Sequence, residues 1–219
     1  FPRGREQTYA LPEDEVFLIG TAEVSITGMH TGEILSEAEL PIKYVGYSPC
    51  FRREAGTYGK DTRGIMRVHQ FEKIEQYVIC RADHEESVRW HEELLANAEE
   101  LVRALELPYR VLNICTGDLG DAKVKGYDIE CWVPSEQRYR ETHSDSYFHD
   151  YQARRADIRY RDGEGTVRYV HTLNNTALAS VRTIIALVEN HQQADGTVRV
   201  PEALRPYFGG RVSMGRPWR

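Results

Sequence analysis

Two long β-prone runs flank a short polar stretch rich in glycine, and this arrangement limits the possible folds more than any other feature. Leu40 to Phe51, with Pro41 at its entry, reads as one strand, and Arg67 to Glu72 and Ile74 to Cys80 read as its partners. Between them Gly56-Thr57-Tyr58-Gly59-Lys60-Asp61 predicts a loop. A hairpin of this kind commits the chain to an antiparallel sheet, which must bury one face against another layer.

The covering layer is also visible. Over Asp83 to Leu105, the apolar residues Val88, Leu95, Ala98, Val102 and Leu105 recur at helical spacing. Asp83 is placed to cap this helix, Glu86 follows three residues later, and Pro108 stops it. Further β-like runs lie near Tyr109 to Ile114, Tyr127 to Val133, Tyr139 to His143 and Arg168 to Leu173, and Asn175 to His191 predicts a second helix. Asp121 to Gly126 and Asp162 to Gly165 read as turns. Val16 to Ile26 is apolar and β-branched, and its pattern leaves helix and strand open. The expectation is an α+β fold, an antiparallel sheet flanked by helices, forming a single domain over residues 1–219 without repeat, low-complexity tract or linker.

Composition narrows the function. With 41% hydrophobic and 28% charged residues the chain has enough apolar content to fold as a globular domain. No apolar run approaches the ~18 residues that cross a bilayer, and the N-terminus lacks a signal-peptide layout, so a cytoplasmic protein with no membrane partner is expected. Cys50, Cys80, Cys115 and Cys131 stand far apart with no C-x-x-C pair, which reads as buried free thiols. The net charge of −6 excludes binding nucleic acid mainly through a basic surface. The chain begins with Phe1, not Met, and so reads as a fragment, a processed product or a shortened chain.

Phe51-Arg52-Arg53-Glu54 and Arg67-Val68-His69-Gln70-Phe71 set charges beside apolar residues in a way a structural strand seldom needs. If both stretches are strands, Arg52 and Glu54 share a face, as do Arg67, His69 and Phe71. The plain alternative is a solvated face with ion pairs. Guanidiniums, a carboxylate and an aromatic ring together suit a nucleotide, because arginine forks match phosphate oxygens and a ring stacks on a base.

These two segments, with Arg63-Gly64 in the loop between them, resemble motif 2 of the class II aminoacyl-tRNA synthetases, and more narrowly of the seryl-tRNA synthetases. Gly20-Thr21-Ala22-Glu23-Val24 resembles the serine-binding segment of that family, and Arg140-Glu141-Thr142-His143-Ser144 with Gln152-Ala153-Arg154-Arg155 its metal-binding strand and the segment after it. Thr172 to Ala179 with Arg182 resembles motif 3, and Glu189-Asn190-His191-Gln192 with Pro201 to Gly210 the C-terminal end. The segments are collinear over Val16 to Gly210.

The resemblance implies a catalytic domain that activates L-serine with ATP and Mg2+ and passes it to tRNA(Ser) within a homodimeric enzyme. It implies that Arg52, Arg67 and Arg182 are catalytic, Arg52 stabilising charge on the ATP α-phosphate and Arg67 reaching the phosphates. Glu54 and the Val68 backbone would read the adenine, and Phe71 and Arg182 would sandwich it. Arg53, Thr142 and His143 fall in the same ATP-binding segments. Glu141 and Ser144 would hold magnesium. Thr21, Ala22, Glu23, Arg52, Glu75, Asn174 and Thr176 would surround serine, with Glu23 on the ammonium group and Glu75 and Thr176 on the hydroxyl. For Asn174 and Thr176 a second reading is capping of the helix predicted from Asn175.

Two departures stand out. The helical tRNA-binding arm and motif 1 of the family are not in these residues, and Asp145 stands where a small or thiol side chain is expected, beside Glu141 and Ser144. The alternatives are a paralogue that loads an amino acid onto a carrier protein, and a non-catalytic module that binds ATP or serine and regulates a partner.

Overall fold

The computed structural model describes residues 4–55 and 64–215, so the Gly56 to Asp61 loop and Arg63 lie outside the described residues. The hairpin forms as expected. Strand β1 (Ile42–Phe51) pairs antiparallel with β2 (Gln70–Cys80) from Ile42 opposite Ile79 to Phe51 opposite Gln70. Four more strands extend the sheet: β3 (Tyr109–Asn113), β4 (Lys125–Val133), β5 (Arg138–Tyr147) and β6 (His171–Ala179). Their order is β1-β2-β6-β5-β4-β3, with every pair antiparallel.

Alternation along β2 gives the sheet two different faces. Val78 and Cys80 point to the back, where they pack on Leu94 of helix α2 (His84–Ala104) and on Leu173 and Tyr147. Ile129 and Cys131 join this back layer against Leu95, Ala98, Val102 and Ala186, the last from helix α4 (Ser180–His191). Burying each large side chain there contributes about 1.5–3 kcal/mol. Tyr77 and Ile79 point to the front, where helices α1 (Ala22–Met29) and α3 (Tyr151–Ala156) cover one end through Ala22, Ile26 and Ala153. The other end of the front face is left open, and the site lies there.

Glycine sets how closely α1 approaches. A Cβ on Gly46 would stand 2.9 Å from both Ala22 Cβ and Ile26 Cδ1, so α1 rests directly on the β1 backbone. The ambiguous Val16 to Ile26 run divides into a short strand (Val16–Phe17) and the start of α1. Asp83 caps α2 by accepting from the Glu86 amide at 2.7 Å. The Glu86 carboxylate turns instead to Arg81 and Trp90, so no reciprocal capping box forms.

Four expectations are corrected. Strand pairing ends at Phe51 and resumes at Gln70, so Arg52 to Glu54 and Arg67 to His69 are irregular and simple alternation does not apply to them. Glu54 itself is left-handed (φ 50°), a conformation that a non-glycine residue adopts only when its surroundings hold it there. Asn175 to Ala179 continue β6, and α4 begins at Ser180; Asn174 and Thr176 are interior strand residues and cap no helix. The Arg168 to Leu173 run breaks at Val170, with Val167–Tyr169 pairing with Arg159–Arg161 in a separate small sheet. Cys50, Cys80 and Cys131 are buried thiols, but Cys115 is exposed.

Asp145 is also not where its neighbours suggested. It opposes Asn175 in the β5–β6 register and faces back, away from Ser144, with its carboxylate 3.5 Å from His91 Nε2 on α2. Both side chains are fully buried, and neither makes a hydrogen bond among the described residues. Burial pushes the Asp145 carboxyl well above the usual range and the His91 imidazole down to about 4. Both shifts favour the neutral forms of the two groups over a salt bridge. Among the described residues no helix is long and apolar enough to cross a membrane.

Because burial raises the folded Asp145 carboxyl above its unfolded value, its cost to stability grows as pH rises from the unfolded carboxylate pKa towards the folded one. Asp145→Asn is expected to stabilise the fold by roughly 1–3 kcal/mol near pH 8 and by little near pH 4. Thermal unfolding of both proteins across that range checks it; a difference that does not grow with pH contradicts the protonated Asp145.

Candidate active site

The open end of the front face is a cleft of about 320 Å³. Its lining includes Arg52, Glu54, Arg67, Val68, Phe71, Glu141, Thr142, Ser144, Thr176 and Arg182, so most of the expected nucleotide residues converge on one cavity.

Two β-bulges make this convergence possible. In an unbroken strand, residues three apart face opposite sides, so Glu141 and Ser144 would not share a site. In the β4–β5 pairing Ile129 opposes His143 and Glu130 opposes Glu141, leaving Thr142 as the extra residue that turns Glu141 to the same side as Ser144. The Thr142 hydroxyl donates to the Ile129 carbonyl at 3.1 Å inside the bulge. In β6 the register slips between Thr176 and Leu178, and Thr176 and Ala179 both reach the cleft.

Two of the three cleft arginines, Arg67 and Arg182, are held by carboxylates. Arg67 Nη1 donates to Glu54 Oε2 at 2.9 Å, the ion pair that a structural reading of these residues anticipates, yet both still line the cleft. Arg182 Nη1 donates to the Glu141 carbonyl at 2.9 Å and its carboxylate at 3.2 Å. The Arg52 guanidinium lies 5.2 Å over the Phe71 ring, and its Nε donates to the Gly20 carbonyl at 3.2 Å.

Beside this set lies a second, more buried group. Thr21 caps α1 and donates to Glu75 Oε2 at 3.1 Å. Glu75 stands opposite Thr176 in the β2–β6 register, and its carboxylate is ion-paired with Lys73. Glu23 receives a short hydrogen bond from Gln152 Nε2. Burial and the nearby Glu75 charge raise the Glu23 carboxyl above the usual range, against the lowering effects of Lys73, Gln152 and Lys123. Asn174 is buried, with its amide nitrogen making no hydrogen bond among the described residues.

Thr21, Glu23, Glu75 and Asn174 adjoin the cleft without lining it, and three further expected residues turn their side chains to neither group. Ala22 packs into the core with Ile26. Arg53 stacks over Tyr9 with its guanidinium 5.6 Å from the ring. His143 faces back, where burial pushes its imidazole down to about 4 and its Nδ1 lies 2.7 Å from the Thr142 hydroxyl. His69 likewise turns to the Tyr9 hydroxyl at 2.5 Å.

Other residues of the site were missed in the sequence. Lys73 lines the cleft, and its alternation with Phe71 and Glu75 on β2 is the signal that identifies it. Asp128 opposes Ser144, and burial together with the Glu141 charge lifts its carboxyl to about 6.

Residues 8–191 match the family model described as tRNA synthetase class II core domain (G, H, P, S and T). The chain belongs to the class II tRNA synthetase core-domain family. Among relatives of this core, the serine–tRNA ligase of Deinococcus radiodurans is 61% identical over all 219 residues, which cover 52% of that protein. The serine–tRNA ligase of Pyrococcus horikoshii is 56% identical over 202 residues, 92% of this chain and 44% of that one. The chain spans about half the length of the curated relatives it matches. The fold matches the crystal structure of Pyrococcus horikoshii seryl-tRNA synthetase complexed with ATP at a TM-score of 0.94 and 52% identity, covering 100% of this chain and 48% of that one. It matches the cytoplasmic serine–tRNA ligase of Naegleria fowleri in complex with AMP at 0.91 and 42%, covering 97% and 51%.

Glu75 is 1% exposed, so removing its cation leaves a buried charge unpaired. Lys73→Met is expected to destabilise this synthetase core by about 3–5 kcal/mol, and Lys73→Met with Glu75→Gln by distinctly less. Urea unfolding of the two variants checks it; equal losses would show that the pair carries no coupling.

Proposed function

We propose that this chain is the catalytic core of a serine–tRNA ligase: it joins L-serine to ATP as seryl-adenylate, and within the whole enzyme the seryl group passes to the 3′ end of tRNA(Ser). One observation carries the reading. The cleft that gathers Arg52, Phe71, Arg182, Glu141 and Ser144 also contains Thr176, which stands opposite the buried Glu75, itself hydrogen-bonded to the half-buried Thr21. A nucleotide subsite and a small polar subsite therefore adjoin, as condensing an amino acid with ATP requires. The 61% identity to a serine–tRNA ligase, and the ATP and AMP complexes of relatives with the same fold, support the same choice.

The chemistry follows from positioning and charge. The serine carboxylate is already a nucleophile, so no general base is needed. One carboxylate oxygen bonds to the α-phosphorus as the bond to pyrophosphate breaks in line, and Arg52 and Arg67 neutralise the oxygens on which charge accumulates. Phe71 stacks on the adenine, with Arg182 on its other side. Glu54 and the Val68 backbone complete its recognition.

The donor set also fits magnesium. Glu141 and Ser144 offer hard oxygen ligands in the cleft, and Asp128, whose carboxyl is raised first by burial and then by the Glu141 charge, stands opposite Ser144. When bound there, magnesium would neutralise phosphate charge and favour departure of pyrophosphate.

Glu23 receives the ammonium group, and Glu75 with Thr176 receives the hydroxyl. A site built to hydrogen-bond a hydroxyl rejects an analogue lacking it by roughly 10⁴-fold, because its own polar groups are left unpaired. We place the whole enzyme in the cytoplasm as a homodimer.

Serine-dependent exchange between ATP and pyrophosphate tests the reading. Exchange with serine is expected, with alanine slower by about 10⁴-fold. Arg52→Ala is expected to reduce it by roughly 10²–10³-fold. A folded chain that binds ATP without serine-dependent exchange, or that uses alanine as well as serine, contradicts it.

A further inference from the structure

Gln152 lies at the end of the small polar subsite, on α3, and is hydrogen-bonded to three side chains. Its Oε1 accepts from the Tyr77 hydroxyl at 3.0 Å and from the Thr172 hydroxyl at 2.6 Å, while its Nε2 donates to Glu23 Oε1. Tyr77 in turn lies 2.7 Å from the Thr27 hydroxyl. These contacts join strands β2 and β6 and helices α1 and α3 at one carboxamide.

The orientation of that amide follows from what surrounds it. A flipped Gln152 would set its carbonyl oxygen against the Glu23 carboxylate, oxygen on oxygen, which is repulsive unless Glu23 carries a proton. The hydroxyls of Tyr77 and Thr172 satisfy the carbonyl on the opposite side, so the NH2 group is left to face Glu23. Proton counting allows this: Tyr77 and Thr172 each have one hydroxyl proton to give to the Gln152 oxygen, and the Thr27 hydroxyl proton is shared between Tyr77 and the Glu23 backbone carbonyl, which it also reaches at 2.7 Å.

We propose that Gln152 is a positioning residue that fixes the Glu23 carboxylate as the acceptor for the ammonium group of the substrate; the inference rests on the serine-activating reading above. The charges facing Glu23 explain why a donor is needed there. Glu75 and burial in the subsite work against a charged Glu23, and Lys73 and Lys123 work for it. Tyr77 stands near as a neutral phenol, its pKa raised by burial. Gln152 adds a hydrogen bond to the charged form without adding a cation that would repel the incoming ammonium group. A lysine or arginine at this position would neutralise Glu23 and occupy its place as partner.

The expected consequence is specific to serine. Gln152→Leu and Gln152→Glu should weaken serine binding by roughly 10-fold or more while ATP binding stays within about twofold. In both variants serine affinity should rise as pH increases from 6 to 8.5, because Glu23 must first lose its proton, whereas the wild-type protein should change less. Tyr77→Phe, which removes one donor to Oε1 and little volume, should shift serine affinity in the same direction by a few-fold.

Calorimetric titration of serine and of ATP into the wild-type and variant chains across this pH range is the test. Wild-type serine affinity and an unchanged pH profile in Gln152→Glu would overturn the role of Gln152 and leave the proposed function standing. Equal losses of serine and ATP binding would make Gln152 structural only and overturn the proposal as well. A folded wild-type chain that binds ATP but no serine would overturn the functional reading, and the proposal with it.

Discussion

The site depends on two places where the sheet slips by one residue. A regular antiparallel strand presents every second side chain to a given face, which would leave Glu141 and Ser144 on opposite sides of the sheet. The bulge at Thr142 turns Glu141 to the cleft side, and the bulge after Thr176 does the same for Ala179, immediately before α4 and Arg182. The bulges hold because the pairing on either side is continuous: Arg138 to Glu141 and His143 to Tyr147 are both in register with β4.

The back of the sheet provides the support for this arrangement. Helices α2 and α4 bury Leu95, Ala98, Val102 and Ala186 against Ile129 and Cys131, and this apolar layer lies behind the strands that carry Glu141, Ser144 and Thr176. Polar groups occur in it too. Gln76 bridges Asn175 at 2.8 Å and accepts from Asn97 at 2.9 Å, and the neutral His91 and Asp145 fill the neighbouring space. The two faces thus treat charge differently. In the cleft, Arg67, Arg182 and Lys73 each have a carboxylate partner; behind the sheet, burial favours the neutral forms of Asp145 and His91.

Much of this was legible in the sequence. The hairpin, the α2 helix and the antiparallel α+β class follow from alternation, helical spacing and capping, which are local signals. The cleft residues proposed to bind the nucleotide were legible only as a resemblance, because neighbouring residues do not state which face a side chain takes after a bulge or an irregular turn. Glu54 and Arg67 reach the cleft from irregular backbone, where alternation carries no information. Asn175 to Ala179 read as helix because the run continues into α4 without a break, yet β2 and β5 claim it through long-range pairing. His143 and Asp145 sit among cleft residues in sequence and face away from them in space, a consequence of alternation that the segment match alone did not apply. In the sequence Gln152 stands out only as the first residue of a family-like segment; its contacts to Glu23, Tyr77 and Thr172 come from four elements meeting.

The central claim is that one front-face cleft holds the nucleotide and the amino acid together. The most direct measurement is a crystal structure of the chain bound to a hydrolysis-resistant seryl-adenylate analogue in which a sulfamoyl group replaces the phosphate. The account predicts adenine against Phe71, the sulfamoyl oxygens at Arg52, the seryl ammonium group at Glu23 and the seryl hydroxyl between Glu75 and Thr176. An analogue bound outside this cleft, or bound in it with the seryl group turned away from Glu23 and Glu75, would contradict it.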